Sequence, residues 1–330
     1  MPRPHLAAVG DALADIVVPV GPEVCERLGV APGAAAFVSR PALEEAAAGL
    51  TGPAGPPAVT AGGSAANTCV TFAAAGGLGT LVTASMGDGL SRAVRDDLLA
   101  RGVRVPLAPV REGATGRCLV LLLPDGDRAF MIWQGEPWRL RTLREGLDAA
   151  FSGGPRCDGV LVEGYLLAGD DGMEVGRTAV RLAAAQGAVP VLTLSDSALV
   201  AAHRPRFERL LADGVRTLIG NEAEIRAFTG ADDAEEAAAA LAGEGVLAVV
   251  TLGGRGALVH GPDGRHTVAG SGAAVTSALG AGDAFAGGFL SGLLSGLPHP
   301  GCLALGSARA RAVLDVRQAR APVRQPAGRA

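Results

Sequence analysis

The 330-residue sequence predicts a three-layer α/β fold: a mostly parallel sheet covered by helices on both faces, with a small β-lid inserted into it. Three observations predict it. Short, near-continuous apolar runs alternate with Ala-, Leu- and Arg-rich segments of helical period along most of the length. Two regions, about 12–50 and 104–134, break that alternation with strand-like pieces between polar turns. Finally, 48% of residues are hydrophobic and only 19% charged, so a chain of this length can bury a full core in one or two domains.

The elements follow in order. HLAAVGDALADIVV near the start is the first strand candidate, and Asp11 and Asp15, four residues apart on it, project from one face. A carboxylate on an apolar strand needs a partner, which sugar hydroxyls or a loop backbone would each supply. Next, Ala61-Gly62-Gly63-Ser64-Ala65-Ala66-Asn67-Thr68 enters an apolar helix. Paired glycines let a backbone approach a ligand closely, and Asn67 offers a donor and an acceptor to vicinal hydroxyls. The same residues also read as a helix capped by Ser64. LVTAS at 81–85 is a strand and Arg92 to Arg101 a helix. RCLVLLLPDGDRAFMIW reads as a hairpin turning at Pro124–Asp127. Phe37, Phe130 and Trp133 fall in the lid, as a slot for a planar base or as the lid's own core.

The second half repeats the alternation. Strands are GVLVE at 159–163, VPVLTL at 189–194, GVRTLI at 214–219 and LAVVTL at 247–252; helices are Met173 to Gln186 and Ala234 to Ala242. Asn221-Glu222-Ala223-Glu224 opens a helix after a strand, which suits carboxylates around hydrated magnesium and equally suits helix capping. Thr251-Leu252-Gly253-Gly254-Arg255-Gly256 has the form of a nucleotide-contacting turn or of a plain hairpin. The sharpest signal is Leu279-Gly280-Ala281-Gly282-Asp283-Ala284-Phe285, running into an apolar helix. Such a turn aims amides outward at a positive helix end and holds an anion. Asp283, in the first turn, can take a proton from a hydroxyl attacking a phosphoryl group. The helix dipole alone also favours Asp there. From Gln318 the Pro/Ala/Arg-rich tail reads as frayed.

Composition excludes several functions. All 29 basic residues are arginine, so Schiff-base chemistry and a lysine-dependent phosphate loop are ruled out. A net charge of −4 without basic runs argues against nucleic-acid binding. Cys25, Cys69, Cys118, Cys157 and Cys302 are scattered and lack CxxC spacing, as reduced cytosolic thiols do. Acidic residues arrive too early for a signal peptide, and Cys118 to Leu123 is far too short to span a membrane. A cytoplasmic protein is expected.

The order GGSAAN, NEAE, TLGGRG and GAGD resembles the PfkB (ribokinase-like) family of carbohydrate and nucleoside kinases over residues 5–315. Gly10-Asp11 through Asp15-Ile16, Arg117-Cys118-Leu119, Glu163-Gly164-Tyr165-Leu166 and Leu194-Ser195-Asp196-Ser197 look most like its bacterial adenosine-kinase-like branch. The resemblance implies one Rossmann-like domain over 1–330 with a β-lid, phosphorylating a primary hydroxyl at the expense of ATP with Mg2+. It implies Asp283 as base and the amides of Gly280, Ala281 and Gly282 as an anion hole. Asp11, Asp15, Gly62, Gly63 and Asn67 would bind the acceptor. Asn221 and Glu224 would organise phosphate, water and magnesium, with Glu224 reaching the metal through water. Thr251, Gly253 and Gly256 would meet the nucleotide. Arg128 matches a lid arginine that covers the transferring group, or is a surface arginine beside an acidic turn.

Three departures narrow this. Ser277-Ala278-Leu279 replaces the family's Asp-Thr-Thr, so the resemblance does not extend to a monovalent-cation site. Gln134-Gly135-Glu136-Pro137 replaces a Gly-Ala-Asn-like turn, and Asp11 replaces an asparagine, which points to a polyhydroxylated or cationic acceptor. An adenosine-like nucleoside is expected ahead of a free sugar; without lysine, a sugar phosphate is less well served. The lid would fold over its own site or pair with a second copy as a homodimer. Two other classes stay open: a dinucleotide-dependent oxidoreductase, which lacks its GxGxxG after the first strand here, and a catalytically silent nucleotide- or sugar-binding regulatory protein.

Overall fold

The computed structural model describes residues 3–50, 58–84, 87–106, 112–125, 127–136, 139–152, 154–270 and 280–315. The stretch Ser277 to Leu279, Pro137 and the tail from Gln318 lie outside them.

The chain enters through β1 (His5–Val9), every residue of which is buried, and breaks before β2 (Leu13–Pro19). This corrects the expectation of one strand there, because β1 and β2 belong to different sheets. Asp11 lies in the break and Asp15 on β2, so the two carboxylates do not share a strand face. The break is held from outside: Ala12 N–H donates to Thr83 Oγ1 at 2.9 Å instead of to a sheet neighbour.

After α1 (Pro22–Leu28) come β3 (Ala35–Phe37), α2 (Arg40–Ala48) and β4 (Ala58–Gly62). Proline in the first turn of α1 and Ser39 capping α2 through Ala42 N–H start these helices where their sequences allow. Then follow α3 (Ser64–Ala74), β5 (Leu78–Val82), α4 (Gly89–Ala100), β6 (Val103–Arg104), β7 (Arg117–Leu122) and β8 (Arg128–Trp133). The hairpin forms as expected, with Leu122 opposite Arg128. From α5 (Arg139–Ser152) the chain alternates strictly: β9 (Gly159–Glu163), α6 (Asp170–Gln186), β10 (Val189–Thr193), α7 (Ser197–Ala212), β11 (Thr217–Asn221). Strand β11 starts three residues later than its apolar run, because Val215 N–H closes back on Leu210 O at the end of α7. The chain finishes with α8 (Glu222–Thr229), α9 (Ala234–Gly243), β12 (Leu247–Thr251), β13 (Gly256–Gly261), β14 (Gly264–Ala269), α10 (Ala281–Leu294) and α11 (His299–Asp315).

Nine strands form the large sheet in the order β14-β13-β12-β11-β10-β9-β1-β5-β6, parallel from β12 to β6 and antiparallel only at β13 and β14. Alternate residues face opposite helical layers. Ala7, Val9, Val160 and Val162 meet the helices α5 to α9, while Leu6, Ala8 and Leu161 meet α3, α4, α10 and α11. Burial on both faces explains why these strands read as unbroken apolar runs. Phe72, Phe207 and Phe289 are fully buried in these layers, each worth about 2–3 kcal/mol by area removed from water.

The small sheet has the order β3-β8-β7-β2-β4, and so takes a strand, β4, from beyond 12–50 and 104–134. One face packs Leu119, Leu121, Ala129 and Met131 on α1 and α2; the other carries Cys118, Val120 and Phe130 with Leu13, Val17 and Ile132. Trp133 belongs to the first face, under Arg40, whose guanidinium lies 5.5 Å from the ring centre. Trp133 therefore lines no slot on the opposite face. No helix of the described residues is long and apolar enough to cross a membrane.

Candidate active site

The parallel strands β1, β9, β10, β11 and β12 all end on one edge of the large sheet, and helices α3 and α10 begin there. In open α/β sheets that edge is where ligands bind.

Helix α10 starts at Gly280, in the left-handed conformation at φ +72, which a glycine adopts without strain. No side chain caps this end. Gly282 is exposed, and among the described residues a Cβ on it would meet no atom within 4 Å. Asp283 is the third helical residue. Its Oδ1 accepts from Ser64 Oγ at 2.6 Å and its Oδ2 from Asn67 Nδ2 at 3.0 Å, while Thr68 Oγ1 donates to its carbonyl at 3.4 Å. The first turn of α3 thus grips both carboxylate oxygens. Ser64 does not cap α3: the N-cap is Gly63, at φ +100, and the serine hydroxyl is committed to Asp283.

The paired glycines are needed for close approach, and what approaches is this chain. A Cβ on Gly62 would fall 1.9 Å from Asp15 Oδ1, and one on Gly63 2.2 Å from the Asp11 carbonyl. Gly62, Gly63, Asp11, Asp15, Asn67 and Asp283 therefore form one cluster, with Asp11 buried. Arg128 joins it electrostatically. Burial lowers its guanidinium from the ordinary value, and the charges of Asp15 and Asp127 oppose that. It is half-buried and sits beside the acidic turn at Asp127.

A second group lies along the same edge. Asn221 and Glu224 form a capping box on α8: Asn221 Oδ1 accepts Glu224 N–H at 2.9 Å and Glu224 Oε2 accepts Asn221 N–H at 3.0 Å. Asn221 Nδ2 also donates to Glu224 Oε1 at 2.6 Å. Burial pushes the Glu224 carboxyl up to about 7, with Asp196 and Asp283 adding to the rise and the Asn221 backbone bond opposing it. Capping is real here, yet the carboxyl also sits in the field of Asp283. Thr251 is paired in register with Asn221, and Arg255 makes an ion pair with Glu222, so the two turns are neighbours. Thr251 to Gly256 does link the antiparallel strands β12 and β13. Gly253 lies at φ +58; Gly256 lies at φ +108 with the Val268 carbonyl 2.0 Å from where a Cβ would be.

Four residues of the site were given no role in it by the sequence. Ser64 is one. Glu163 ends β9 with a carboxylate 2% exposed that accepts Ala65 N–H at 2.8 Å; an acid closing an apolar strand was its available signal. Ser195 is the one non-glycine residue with positive φ among the described residues. Its carbonyl accepts from the hydroxyl of Tyr165, the chain's single tyrosine. The Tyr165 ring meets Phe37 of the small sheet edge-on, with centres 5.8 Å apart and planes at 61°. Burial raises the Tyr165 hydroxyl strongly, and Asp196, Glu163, Asp283 and Glu224 add to it.

That concentration of carboxylates suits a hydrated divalent cation, and the turn before Asp283 suits phosphate oxygens. Among the described residues no group of three His, Cys, Asp or Glu encloses a metal by itself.

Residues 44–326 match the family described as pfkB family carbohydrate kinase. The structure is similar to that of adenosine kinase from Sinorhizobium meliloti, with a TM-score of 0.84 and 27% identity over 96% of this chain and 95% of that one. A probable sugar kinase from Rhizobium etli CFN 42 is similar at a TM-score of 0.84 and 26% identity, over 96% of this chain and 94% of the other. A stretch of 109 residues is 40% identical to the cytidine kinase of Thermococcus kodakarensis (strain ATCC BAA-918 / JCM 12380 / KOD1). It covers 32% of this chain, and the chain spans 39% of the length of that relative.

Proposed function

The chain belongs to the pfkB family of carbohydrate kinases, and from that premise we propose that it transfers the γ-phosphoryl group of ATP to a primary hydroxyl of an adenosine-like nucleoside. The observation that carries this reading is the grip of Ser64 and Asn67 on the Asp283 carboxylate, at the N-terminus of α10 and beside Gly62–Gly63.

The roles follow from the chemistry. Asn67, Asp11, Asp15 and the backbone at Gly62–Gly63 orient the acceptor hydroxyls. Asp283 takes the proton of the reacting hydroxyl as its oxygen bonds to the γ-phosphorus and the bond to the ADP oxygen breaks. The amides of Gly280, Ala281 and Gly282 receive developing phosphate charge. Thr251, Gly253 and Gly256 contact the nucleotide, and Arg128 covers the transferring group from the small sheet, which acts as a lid. Glu224, with Asn221, would hold magnesium, which would supply charge neutralisation on the phosphates.

A nucleoside is preferred to a free sugar because Phe37 and Tyr165 bring two aromatic rings together between the two sheets, a surface suited to a planar base. Location in the cytoplasm is supported by five buried cysteines, all free thiols. A homodimer joined through the small sheet belongs to the same reading, since β3 and β4 are its outer strands; sedimentation velocity tests it. The function is tested by ATP consumption across nucleosides and free sugars. Turnover with adenosine-like nucleosides is expected. Turnover only with free sugars would overturn the acceptor class, and nucleotide binding without turnover on any acceptor would overturn the activity.

A further inference from the structure

We propose that Glu163 is a positioning residue for phosphoryl transfer: from the end of β9 it caps α3 and so fixes the helical turn that holds Asp283. The N-cap of α3, Gly63, has no side chain to offer, while the first amides of any helix need acceptors. Glu163 Oε2 supplies one to Ala65 N–H, placing a carboxylate at the positive end of the helix.

The seat of this carboxylate is built from three sides. Gly10, just after β1, makes the space: a Cβ there would fall 2.4 Å from Glu163 Oε2 and 2.6 Å from Ala65 Cβ. On the far side, Gly164 N–H donates to Ser195 Oγ at 3.0 Å, which pins the backbone immediately beyond Glu163 to the end of β10. Gly164 cannot be larger, since a Cβ would lie 2.5 Å from the Thr193 carbonyl. Ser195 holds its place at φ +70, a conformation that persists only where the surroundings enforce it. The strand end is therefore rigid, and it sets the rotation of the turn from which Ser64 and Asn67 reach the two oxygens of Asp283. The inference rests on Asp283 being the base.

Steady-state kinetics with ATP and the acceptor, together with the affinity for adenylyl imidodiphosphate, test it, with Asp283→Asn as the reference. Glu163→Gln keeps the length and an oxygen that can accept from Ala65 N–H, and is expected to stay within about threefold of the parent kcat. Glu163→Asp is one methylene short, and is expected to lose about 30-fold in kcat while nucleotide affinity stays within about twofold. Parent-like kcat in Glu163→Asp would overturn the proposal. So would a loss confined to acceptor KM, which would make Glu163 a ligand of the acceptor. Glu163→Gln as slow as Glu163→Asp overturns it, because an equivalent hydrogen-bond acceptor would then not suffice. Failure of either variant to fold overturns it too, since Glu163 would be structural. Asp283→Asn at the parent rate overturns the base assignment itself, and this proposal with it.

Discussion

Ser64 Oγ donates to Asp283 Oδ1 at 2.6 Å, joining the first turns of two helices whose residues lie 219 apart in sequence. A charge-assisted bond this short restricts one carboxylate oxygen, while Asn67 restricts the other. Ser64→Ala removes the bond to Oδ1 and keeps the amide contact to Oδ2. Its kcat is expected to fall about tenfold with little change in nucleotide affinity, and Ser64→Thr, which keeps the hydroxyl, to recover most of it. Steady-state kinetics on the three proteins reads this.

Asp283→Asn keeps the size and can still meet Ser64, but cannot take a proton. Turnover is expected to drop about a thousandfold, with acceptor and nucleotide affinities near normal by calorimetry. A variant that still turns over at a comparable rate would remove Asp283 from the base role.

Glu224 gives a pH dependence with a definite sign. Burial, then Asp196 and Asp283, hold its carboxyl up at about 7 against an ordinary 4.5. The folded chain therefore binds an extra proton between those values. The stability contributed by this group is complete below 4.5 and is lost as pH rises through about 7. Cation binding runs the other way, because it needs the ionised form. Magnesium–ATP affinity should tighten from about pH 6 to about pH 8 with uptake of the cation coupled to proton release, and Glu224→Gln should flatten that slope. Titration calorimetry in buffers of different ionisation enthalpy measures it.

Phe37 is 51% exposed although it is a large apolar residue, and its ring meets that of Tyr165 edge-on. Removing either ring by Phe37→Ala or Tyr165→Ala should raise KM for nucleosides about tenfold and leave KM for free sugars within about twofold. Equal losses on both acceptor classes would show that the rings do not read a base.

Gly256 makes a stability prediction separate from catalysis. Its φ of +108 and the carbonyl of Val268 leave no place for a methyl group. Gly256→Ala should cost about 2–4 kcal/mol in denaturant unfolding, by strain and by displacement of β14.

The fold was legible wherever one physical rule governed a segment. GVLVE became β9 without a shift of register, since a strand buried on both faces must be apolar throughout. Helices were legible through their period, as with α9, expected over Ala234 to Ala242 and observed over Ala234–Gly243. What could not be read were decisions made by distant residues. Thr83 and Glu163 enforce the break after Gly10, yet neither lies within 70 residues of it in sequence. Ser64 has the composition of a cap and spends its hydroxyl on Asp283. Trp133 sits in a strand whose alternation fixes that it faces opposite to Phe130 and Ile132's side of the sheet; only the register with β7 and the α2 helix shows which face that is. The Asn221–Glu224 pair forms the helix cap that one of its two readings gave, and its buried carboxyl also lies in the field of Asp283.

Strand β1 lies between β5 and β9 in the large sheet. During translation its β5 edge can be covered early, but its β9 edge stays bare until residues 159–163 emerge, and Ser64 waits for Asp283 far longer. A growing chain therefore carries an apolar central strand with one edge unpaired until β9 is made. Long-range pairing of this kind folds slowly and exposes sticky edges meanwhile. The contact between Ser64 and Asp283 waits for α10, so a fragment ending before Gly280 would lack the residue proposed as the base.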